Sequence, residues 1–204
     1  MTTFQAKTFV DAQVREIRKV LGGGRALIAC SGGVDSTTCA VLTHRAIGRR
    51  LVCVFIDTGF MRLDEPKRVV KILGSKPLSL PIKLVNKKAE FMRALAGLED
   101  AEDKRKSFRA TFYDIFSDVA RKEGCGFLVQ GTIAPDWIET KGGIKTQHNV
   151  LEQIGINTSE KYGFRLVEPL AYLYKDQVRE VARYLRVQPS ISERQPFPGP
   201  GLSV

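Results

Sequence analysis

Apolar residues follow two alternating patterns along the chain: short continuous runs and stripes with helical spacing. The run Leu51-Val-Cys-Val-Phe-Ile56 predicts a strand buried on both faces, which is typical of a parallel sheet. Further strands are predicted at 26–30, 82–86, 126–130 and 165–168. Helices are predicted at about 4–21, 34–47, 64–73 (with Asp64 as its N-cap), 87–96, 105–123 and 175–185. This alternation predicts an α/β fold with a doubly wound, mostly parallel sheet and helices on both faces.

Two segments lack this periodicity. The first runs from Gly131 to about Gly163, and a stretch of that length without a strong pattern is typical of a mobile lid. The second, Gln195-Pro-Phe-Pro-Gly-Pro-Gly201, is too rich in Pro and Gly for regular structure, so it forms a linker or a shaped binding loop. We therefore expect one domain over residues 1–188, with a lid at 131–163, followed by a Pro/Gly-rich loop at 189–204.

Composition restricts the class of protein. A hydrophobic content of 43% and a charged content of 26% are those of a soluble globular protein. No apolar stretch approaches the roughly 18–20 residues that span a bilayer, and the first seven residues lack a signal-peptide core, so we expect a cytoplasmic protein without membrane contact. The net charge of +10 is compatible with nucleic acid, a polyanionic nucleotide or an acidic partner. Its scattered Lys and Arg residues do not favour nucleic acid.

The four cysteines, Cys30, Cys39, Cys53 and Cys125, contain no Cys-x-x-Cys pair. Three of them lie in or beside apolar segments that are predicted to be buried in the core. The sequence therefore predicts buried free thiols rather than a disulfide or a zinc site.

Residues 31–36, Ser-Gly-Gly-Val-Asp-Ser, join the first predicted strand to the next helix. Adjacent glycines let the backbone approach an anion closely, and the helix start directs unpaired N–H groups and its positive dipole end toward the same place. Hydroxyl donors are available at Ser31, Ser36 and Thr37. The pattern is neither a Walker A loop nor a Rossmann turn. It predicts a different kind of phosphate loop.

Asp35 is unusual in such a loop, because a carboxylate repels phosphate unless a cation lies between them. A carboxylate together with bound phosphates is a typical Mg²⁺ site, so the loop indicates Mg²⁺–nucleotide chemistry. The alternative is an ordinary turn in which Asp35 is favoured by the helix dipole.

The carboxyl ends of parallel strands meet at one edge of a sheet, where ligands bind. We expect the segments 57–59 and 131–136 to converge there with the loop. Asp136 is a second candidate for metal or nucleotide. Its alternative role is to cap a turn before Trp137.

Residues 31–36 resemble the pyrophosphate loop of the N-type ATP pyrophosphatases, a superfamily that activates a substrate by transferring AMP to it. Other segments are similar to the GMP synthetase family, and the resemblance covers about residues 10–204. The most specific are His148-Asn-Val150 and Pro196-Phe-Pro-Gly-Pro-Gly-Leu202. The others are 44–48, 131–136, 144–145, 166–170 and 175–179. The resemblance implies an adenine nucleotide alpha hydrolase-like fold.

It also implies a reaction. The O2 atom of XMP attacks the α-phosphate of Mg–ATP, pyrophosphate leaves, and ammonia displaces AMP from adenylyl-XMP to give GMP. Lys175 matches a lysine that neutralises phosphate. Because the helix dipole disfavours a cation at a helix start, an anionic partner would explain it.

The resemblance assigns roles to individual residues. Candidate catalytic residues are Asp35, Lys145 and Lys175, and candidate Mg²⁺ ligands are Asp35 and Asp136. The expected ATP contacts are Ser31, Gly32, Gly33, Val34, Asp35, Ser36, Thr37, Ile56, Asp57 and Gly131. The expected substrate and lid contacts are His148, Pro198, Gly199 and Gly201. The chain departs from the commonest family pattern at Thr58, Gln147 and Gln195.

No cysteine stands in a glutaminase-type setting, so ammonia is expected from free ammonium or from a separate glutaminase subunit. In the family a dimerisation domain follows the Pro/Gly string and supplies much of the XMP site. We therefore expect a homodimer for the longer form, and expect residues 1–204 to bind ATP but make little GMP alone. Two alternatives stay open: a tRNA-modifying ATP pyrophosphatase, with Cys125 as its only candidate persulfide carrier, and a module that only binds nucleotide.

Overall fold

A computed structural model describes residues 4–141, 158–193 and 201–203. Its sheet has five strands in the order β3-β2-β1-β4-β5, and every neighbouring pair is parallel. The strands are β1 (Ala26–Ala29), β2 (Leu51–Asp57), β3 (Ile82–Asn86), β4 (Phe127–Val129) and β5 (Arg165–Val167). The chain moves outward from β1 to β3 and then crosses to β4 on the other side. The predicted doubly wound sheet is confirmed, and its switch point lies between β1 and β4.

The helices agree with the predicted ones to within a few residues where periodicity is strong. They are α1 (Ala6–Leu21), α2 (Val34–Ile47), α3 (Glu65–Gly74), α4 (Lys88–Leu95), α5 (Ala101–Lys122), α6 (Ala134–Lys141), α7 (Thr158–Tyr162), α8 (Lys175–Tyr184) and α9 (Pro189–Ser192). Short 3₁₀ segments follow at Gly48–Arg50 and Gly201–Ser203. Within the described ranges, no helix combines the length and apolarity needed to cross a bilayer.

Alternate residues of the central strands point to opposite faces of the sheet, and each face has its own core. Ile28 packs with α1, α2, α3 and α8, whereas Leu27 packs with α4 and α5. All seven residues of β2 are buried, as its continuous apolar run predicts. Each fully buried aliphatic or aromatic side chain in these layers stabilises the fold by about 1.5–3 kcal/mol. The prediction of helices on both faces is confirmed.

Asp64 occupies the predicted N-cap position of α3. It has φ 56°, however, and its side chain makes no capping hydrogen bond. The Glu65 carboxylate instead accepts a hydrogen bond from the Arg62 amide at 3.2 Å. The helix is therefore started by a turn that closes through Glu65.

Short helices occur where the sequence has no clear periodicity. Helices α6 and α7 lie inside the predicted lid, and α9 lies inside the predicted Pro/Gly-rich loop. They have only eight, five and four residues, too few for an apolar stripe to repeat. Residues 142–157 of the predicted lid lie outside the described part of the chain.

Candidate nucleotide site at the carboxyl edge of the sheet

The segment 31–36 is folded by its own hydroxyl groups. The Ser31 and Ser36 Oγ atoms lie 2.9 Å apart, and Ser36 Oγ accepts a hydrogen bond from the Ser31 amide at 3.2 Å. The Gly33 amide donates to Ser31 Oγ at 3.3 Å. The loop therefore holds its shape before any ligand arrives, and it leads directly into the amino end of α2.

Two glycines allow close approaches that a larger residue would prevent. Gly32 has φ +78°, and a Cβ atom added there would lie 2.8 Å from the Val69 side chain. A Cβ atom on Gly131 would lie 3.0 Å from backbone atoms of Asp35 and Ser36. The end of β4 thus rests against the first turn of α2, as convergence at the switch point predicts.

Asp35 and Lys175 form an ion pair across this edge. Lys175 Nζ lies 2.6 Å from Asp35 Oδ2. The Lys175 side chain is 37% exposed and that of Asp35 is 27% exposed, so the pair is only partly covered by the protein. Among the described residues, the other oxygen, Asp35 Oδ1, is buried and has no hydrogen-bond partner. The carboxylate therefore keeps one acceptor for a further donor or cation.

Two predicted loop contacts have buried side chains. Val34 is buried, so its contribution to an anion site is its backbone amide at the helix start. Thr37 is fully buried, and its hydroxyl oxygen has no hydrogen-bond partner within the described chain. Its amide donates to the Gly33 carbonyl at 3.1 Å, which closes the first turn of α2.

At the end of β2, Ile56 and Asp57 are both buried. One Asp57 carboxylate oxygen accepts the Gly59 amide at 3.1 Å, and the other lies 3.3 Å from Lys88 Nζ. The Asp57 carbonyl accepts the Lys87 amide at 2.9 Å. Asp57 therefore shapes the turn after β2, and its carboxylate is already paired inside the chain.

Asp136 caps the start of α6. Its Oδ2 atom accepts the Ile133 amide at 2.9 Å, and its own amide donates to the Ile133 carbonyl at 3.0 Å. This geometry is that of a turn cap, the alternative to a contact with metal or nucleotide. Across the described residues, no group of three or more His, Cys, Asp and Glu side chains is close enough to hold a metal by itself.

Glu168 also lies at this edge. It belongs to the segment 166–170 that resembles the family, but the sequence predicted no role for it. The Thr132 hydroxyl donates to Glu168 Oε1, which joins the ends of β4 and β5. Its position at the end of the last predicted strand, 165–168, was the available signal, because polar residues at strand ends converge at this edge.

Several predicted site residues cannot be placed. Lys145, His148, Pro198 and Gly199 lie outside the described residues. Gly201 begins the short 3₁₀ segment, and the next residue, Leu202, donates its amide to the Phe60 carbonyl at 2.8 Å. The residues after the Pro/Gly string therefore meet the loop that follows β2, at the same edge as the other candidates.

Curated relatives match nearly the whole chain. The B subunit of the glutamine-hydrolyzing GMP synthase of Saccharolobus solfataricus is 51% identical over 201 residues, which are 98% of this chain and 54% of that protein. The corresponding B subunit of Methanopyrus kandleri is 52% identical over 201 residues, 98% of this chain and 62% of that protein. Over this shared length, the chain is about half identical to GMP synthase B subunits.

The chain spans a little more than half the length of these GMP synthase subunits. No protein-family model matches it. Among solved structures, NMN synthetase from Francisella tularensis has a TM-score of 0.76 at 17% identity, covering 98% of this chain and 78% of that one. NH3-dependent NAD synthetase from Campylobacter jejuni has a TM-score of 0.70 at 14% identity, covering 96% and 80%. These likenesses show that the chain shares the fold of these synthetases, the adenine nucleotide alpha hydrolase-like fold.

The cysteines do not favour the tRNA-modifying alternative. All four are buried free thiols, as predicted. Cys125 lies before β4, at the amino edge of the sheet and opposite the Asp35–Lys175 pair. Burial raises the pKa of the Cys125 thiol, which makes it a poor persulfide carrier.

Proposed function

We propose that this chain carries the ATP-pyrophosphatase chemistry of a two-subunit GMP synthase. In this reaction XMP attacks the α-phosphate of ATP, pyrophosphate leaves, and ammonia then displaces AMP from adenylyl-XMP. The observation that carries the proposal is the meeting of the phosphate loop, Asp35 and Lys175 at the switch point of the sheet, in a chain about half identical to GMP synthase B subunits.

The loop and the start of α2 are suited to the leaving pyrophosphate. Amides at a helix start bind anions, and glycines at 32 and 33 leave room for phosphate oxygens beside the backbone. Because pyrophosphate carries several charges, placed donors and cations supply most of the catalysis. Ser31 and Ser36 contribute by holding the loop in shape, and each hydroxyl is oriented by the other.

The donors present fit Mg²⁺. Asp35 offers a carboxylate whose Oδ1 atom has no hydrogen-bond partner among the described residues, and phosphate and water oxygens complete such sites. When bound, Mg²⁺ neutralises charge on the phosphates and on the leaving pyrophosphate. Asp35 would hold it directly or through water. Asp136 is the second proposed ligand, provided that its carboxylate leaves the Ile133 amide or uses its other oxygen.

Lys175 supplies the second positive charge. Without ligand its ammonium is neutralised by Asp35. We infer that the ammonium turns to phosphate oxygens when ATP binds, which frees Asp35 for the metal. Lys145 and His148 are proposed to cover the phosphates from the lid, and Pro198, Gly199 and Gly201 to border the substrate. Backbone groups at Ile56 and Asp57 are proposed to face adenine, and Gly131 to adjoin the phosphates.

Ammonia is proposed to come from a separate glutaminase subunit, since all four cysteines of this chain are buried. A glutaminase nucleophile must reach its substrate, and no buried thiol of the sheet core can do so. The relatives are named as B subunits, which supports the presence of a partner. A homodimer is proposed for the longer form.

The test has two parts. Calorimetry measures whether the chain binds ATP in the presence of Mg²⁺, and a pyrophosphate-release assay then adds XMP, deamido-NAD, citrulline or tRNA in turn. We expect Mg²⁺-dependent ATP binding, and slow pyrophosphate release that is stimulated by XMP alone. Absence of ATP binding, or stimulation by another acceptor, would overturn the proposal.

A further inference from the structure

Beyond the pairing of β4 and β5, hydrogen bonds within the described chain join the segments that follow these two strands. The Gln130 amide donates to the Val167 carbonyl at 3.0 Å, and the Ala134 amide donates to the Leu173 carbonyl at 2.9 Å. Between them, the Thr132 hydroxyl donates to the Glu168 carboxylate. The Gln130–Val167 and Ala134–Leu173 bonds join backbone groups. Of these three bonds, the Thr132–Glu168 bond is the one that depends on the identity of both side chains.

Both halves of the Asp35–Lys175 pair connect to these joined ends. Gly131, next to Thr132, lies against the backbone of Asp35 and Ser36. On the other side, Leu173 is two residues before Lys175. Contacts therefore continue from the first turn of α2 to the end of β4, from there to the end of β5, and along the following loop to Lys175. The ion pair with Asp35 connects Lys175 back to α2.

The loop between β5 and α8 has little freedom of its own. Leu170 and Leu173 are buried in the core, and the Leu173 amide donates to the Leu170 carbonyl at 2.9 Å. The position of Lys175 is thus set by the packing of α8 against α1 and α2 together with the place where this loop is attached to β4. Thr132 is itself buried, so its hydroxyl is sheltered from competing water.

Glu168 also lies within electrostatic reach of α2. Burial is the main cause that raises the pKa of the Cys39 thiol, and the carboxylates of Glu168 and Asp35 raise it further. Cys39 lies one helical turn after Asp35. Glu168 is therefore close to the turn that Lys175 contacts, and a hydrogen bond that fixes its carboxylate also fixes the charge around the pair.

We propose that Thr132 and Glu168 form a clamp that positions Lys175 against the first turn of α2. They are positioning residues, because they act on the ATP phosphates through Lys175 and the phosphate loop. The inference rests on the proposed function in taking Mg²⁺–ATP as the ligand. It goes beyond that function in assigning roles to two side chains outside the phosphate loop.

The experiment compares Thr132→Val, which removes the hydroxyl at nearly constant volume, with Thr132→Ser, which retains it. Ser117→Ala is the matched control, because Ser117 is another buried hydroxyl that donates a hydrogen bond, at 3.2 Å to the Tyr162 carbonyl in α7. Two readouts are used: the ligand-free crystal structure, for the distance from Lys175 Nζ to Asp35 Oδ2, and the Kd for Mg²⁺–ATP by calorimetry.

We expect Thr132→Val to separate the ion pair and to weaken Mg²⁺–ATP binding about tenfold, a common size for coupling between sites. Thr132→Ser and Ser117→Ala should bind like the unaltered chain. If Thr132→Val does not fold, Glu168→Gln replaces it and should show a smaller loss, because a neutral amide is a weaker acceptor.

The failures of the two proposals are distinguishable. If Thr132→Val keeps both the ion pair and the affinity, the clamp is overturned while the proposed function stands. If the unaltered chain does not bind Mg²⁺–ATP, the proposed function is overturned. The clamp is then decided by the ligand-free structures alone: an ion pair that is separated in Thr132→Val and intact in Thr132→Ser supports it, and one intact in both overturns it.

Discussion

Lys175 Nζ lies 2.6 Å from Asp35 Oδ2, although 140 positions separate the two residues in the sequence. Lys175 is the first residue of α8 and Asp35 is in the first turn of α2, so the pair joins two helix amino ends. A cation at a helix start is disfavoured by the dipole, and the carboxylate offsets that cost. The anionic partner that Lys175 requires is therefore present within the chain itself.

The first prediction concerns the positive charge of this pair. Lys175→Met should weaken Mg²⁺–ATP binding and slow pyrophosphate release by about 100-fold, as expected when one placed donor to a developing charge is lost. Lys106→Met is the control, because it removes the same charge from an exposed position on α5, where Lys106 lies 3.6 Å from Asp103. Equal effects of the two substitutions would show that only net charge matters.

The second prediction concerns the metal. Asp35→Asn keeps the shape of the side chain but removes its charge, so ATP binding should lose most of its dependence on Mg²⁺. The expected loss of affinity for Mg²⁺–ATP is about 10-fold or more, because interactions with charged groups contribute about 1.5–3 kcal/mol. Calorimetry with Mg²⁺ and with EDTA measures it. A variant as Mg²⁺-dependent as the unaltered chain would remove Asp35 from the metal site.

Elements that depend on local signals could be predicted from the sequence. Strand β2 is built on one continuous apolar run, Leu51 to Ile56, and α2 ends before Gly48, whose φ is +58°. In both cases the residues that give the signal lie within a few positions of the strand or the helix end that they predict. The convergence of the phosphate loop with Gly131 was also predictable, because the carboxyl ends of parallel strands share an edge.

What could not be predicted depends on long-range geometry. The Asp35–Lys175 and Thr132–Glu168 pairs require the crossover from β3 to β4 and the parallel addition of β5 to be in place. The helix start at Lys175 predicted an anionic partner, but nothing in the sequence indicated that Asp35, 140 positions earlier, lies beside it. The position of Asp64 as N-cap was predictable, but its capping bond was not, since the turn there is closed by Glu65 and not by the residue that propensity favours.

The third prediction concerns the close approach at Gly131. A Cβ atom there would meet the backbone of Asp35 and Ser36 at 3.0 Å, and backbone cannot move aside as a side chain end can. Gly131→Ala should therefore lower the free energy of unfolding by about 1–3 kcal/mol and should also weaken Mg²⁺–ATP binding.

Gly126→Ala is the matched control for this change. Gly126 precedes the same strand, and a Cβ atom added there has no heavy atom within 4 Å. Its substitution should leave stability within about 1 kcal/mol of the unaltered chain, because alanine also restricts the unfolded state. Urea unfolding measures both variants. Similar stabilities for the two would mean that β4 does not press against α2.

The fourth prediction concerns alkaline pH. The pKa of Cys30 is raised by its hydrogen bond to Cys53 and by burial, and burial is the main cause that raises the pKa of Cys39. In the unfolded chain a thiol ionises near pH 8.5. Below that pH both states keep the proton, so these thiols do not change stability with pH. Above it the unfolded state binds fewer protons than the native state, and the free energy of unfolding falls as pH rises.

The slope approaches about 1.4 kcal/mol per pH unit for each such thiol. Urea unfolding at pH 7.5, 8.5, 9.5 and 10.5 under reducing conditions measures it. Cys39→Ala should be less stable at every pH because it leaves a cavity, but its stability should fall less steeply above pH 8.5. The comparison of slopes separates ionisation from packing, since the cavity cost does not depend on pH. Parallel curves for the two proteins would contradict the raised pKa of Cys39.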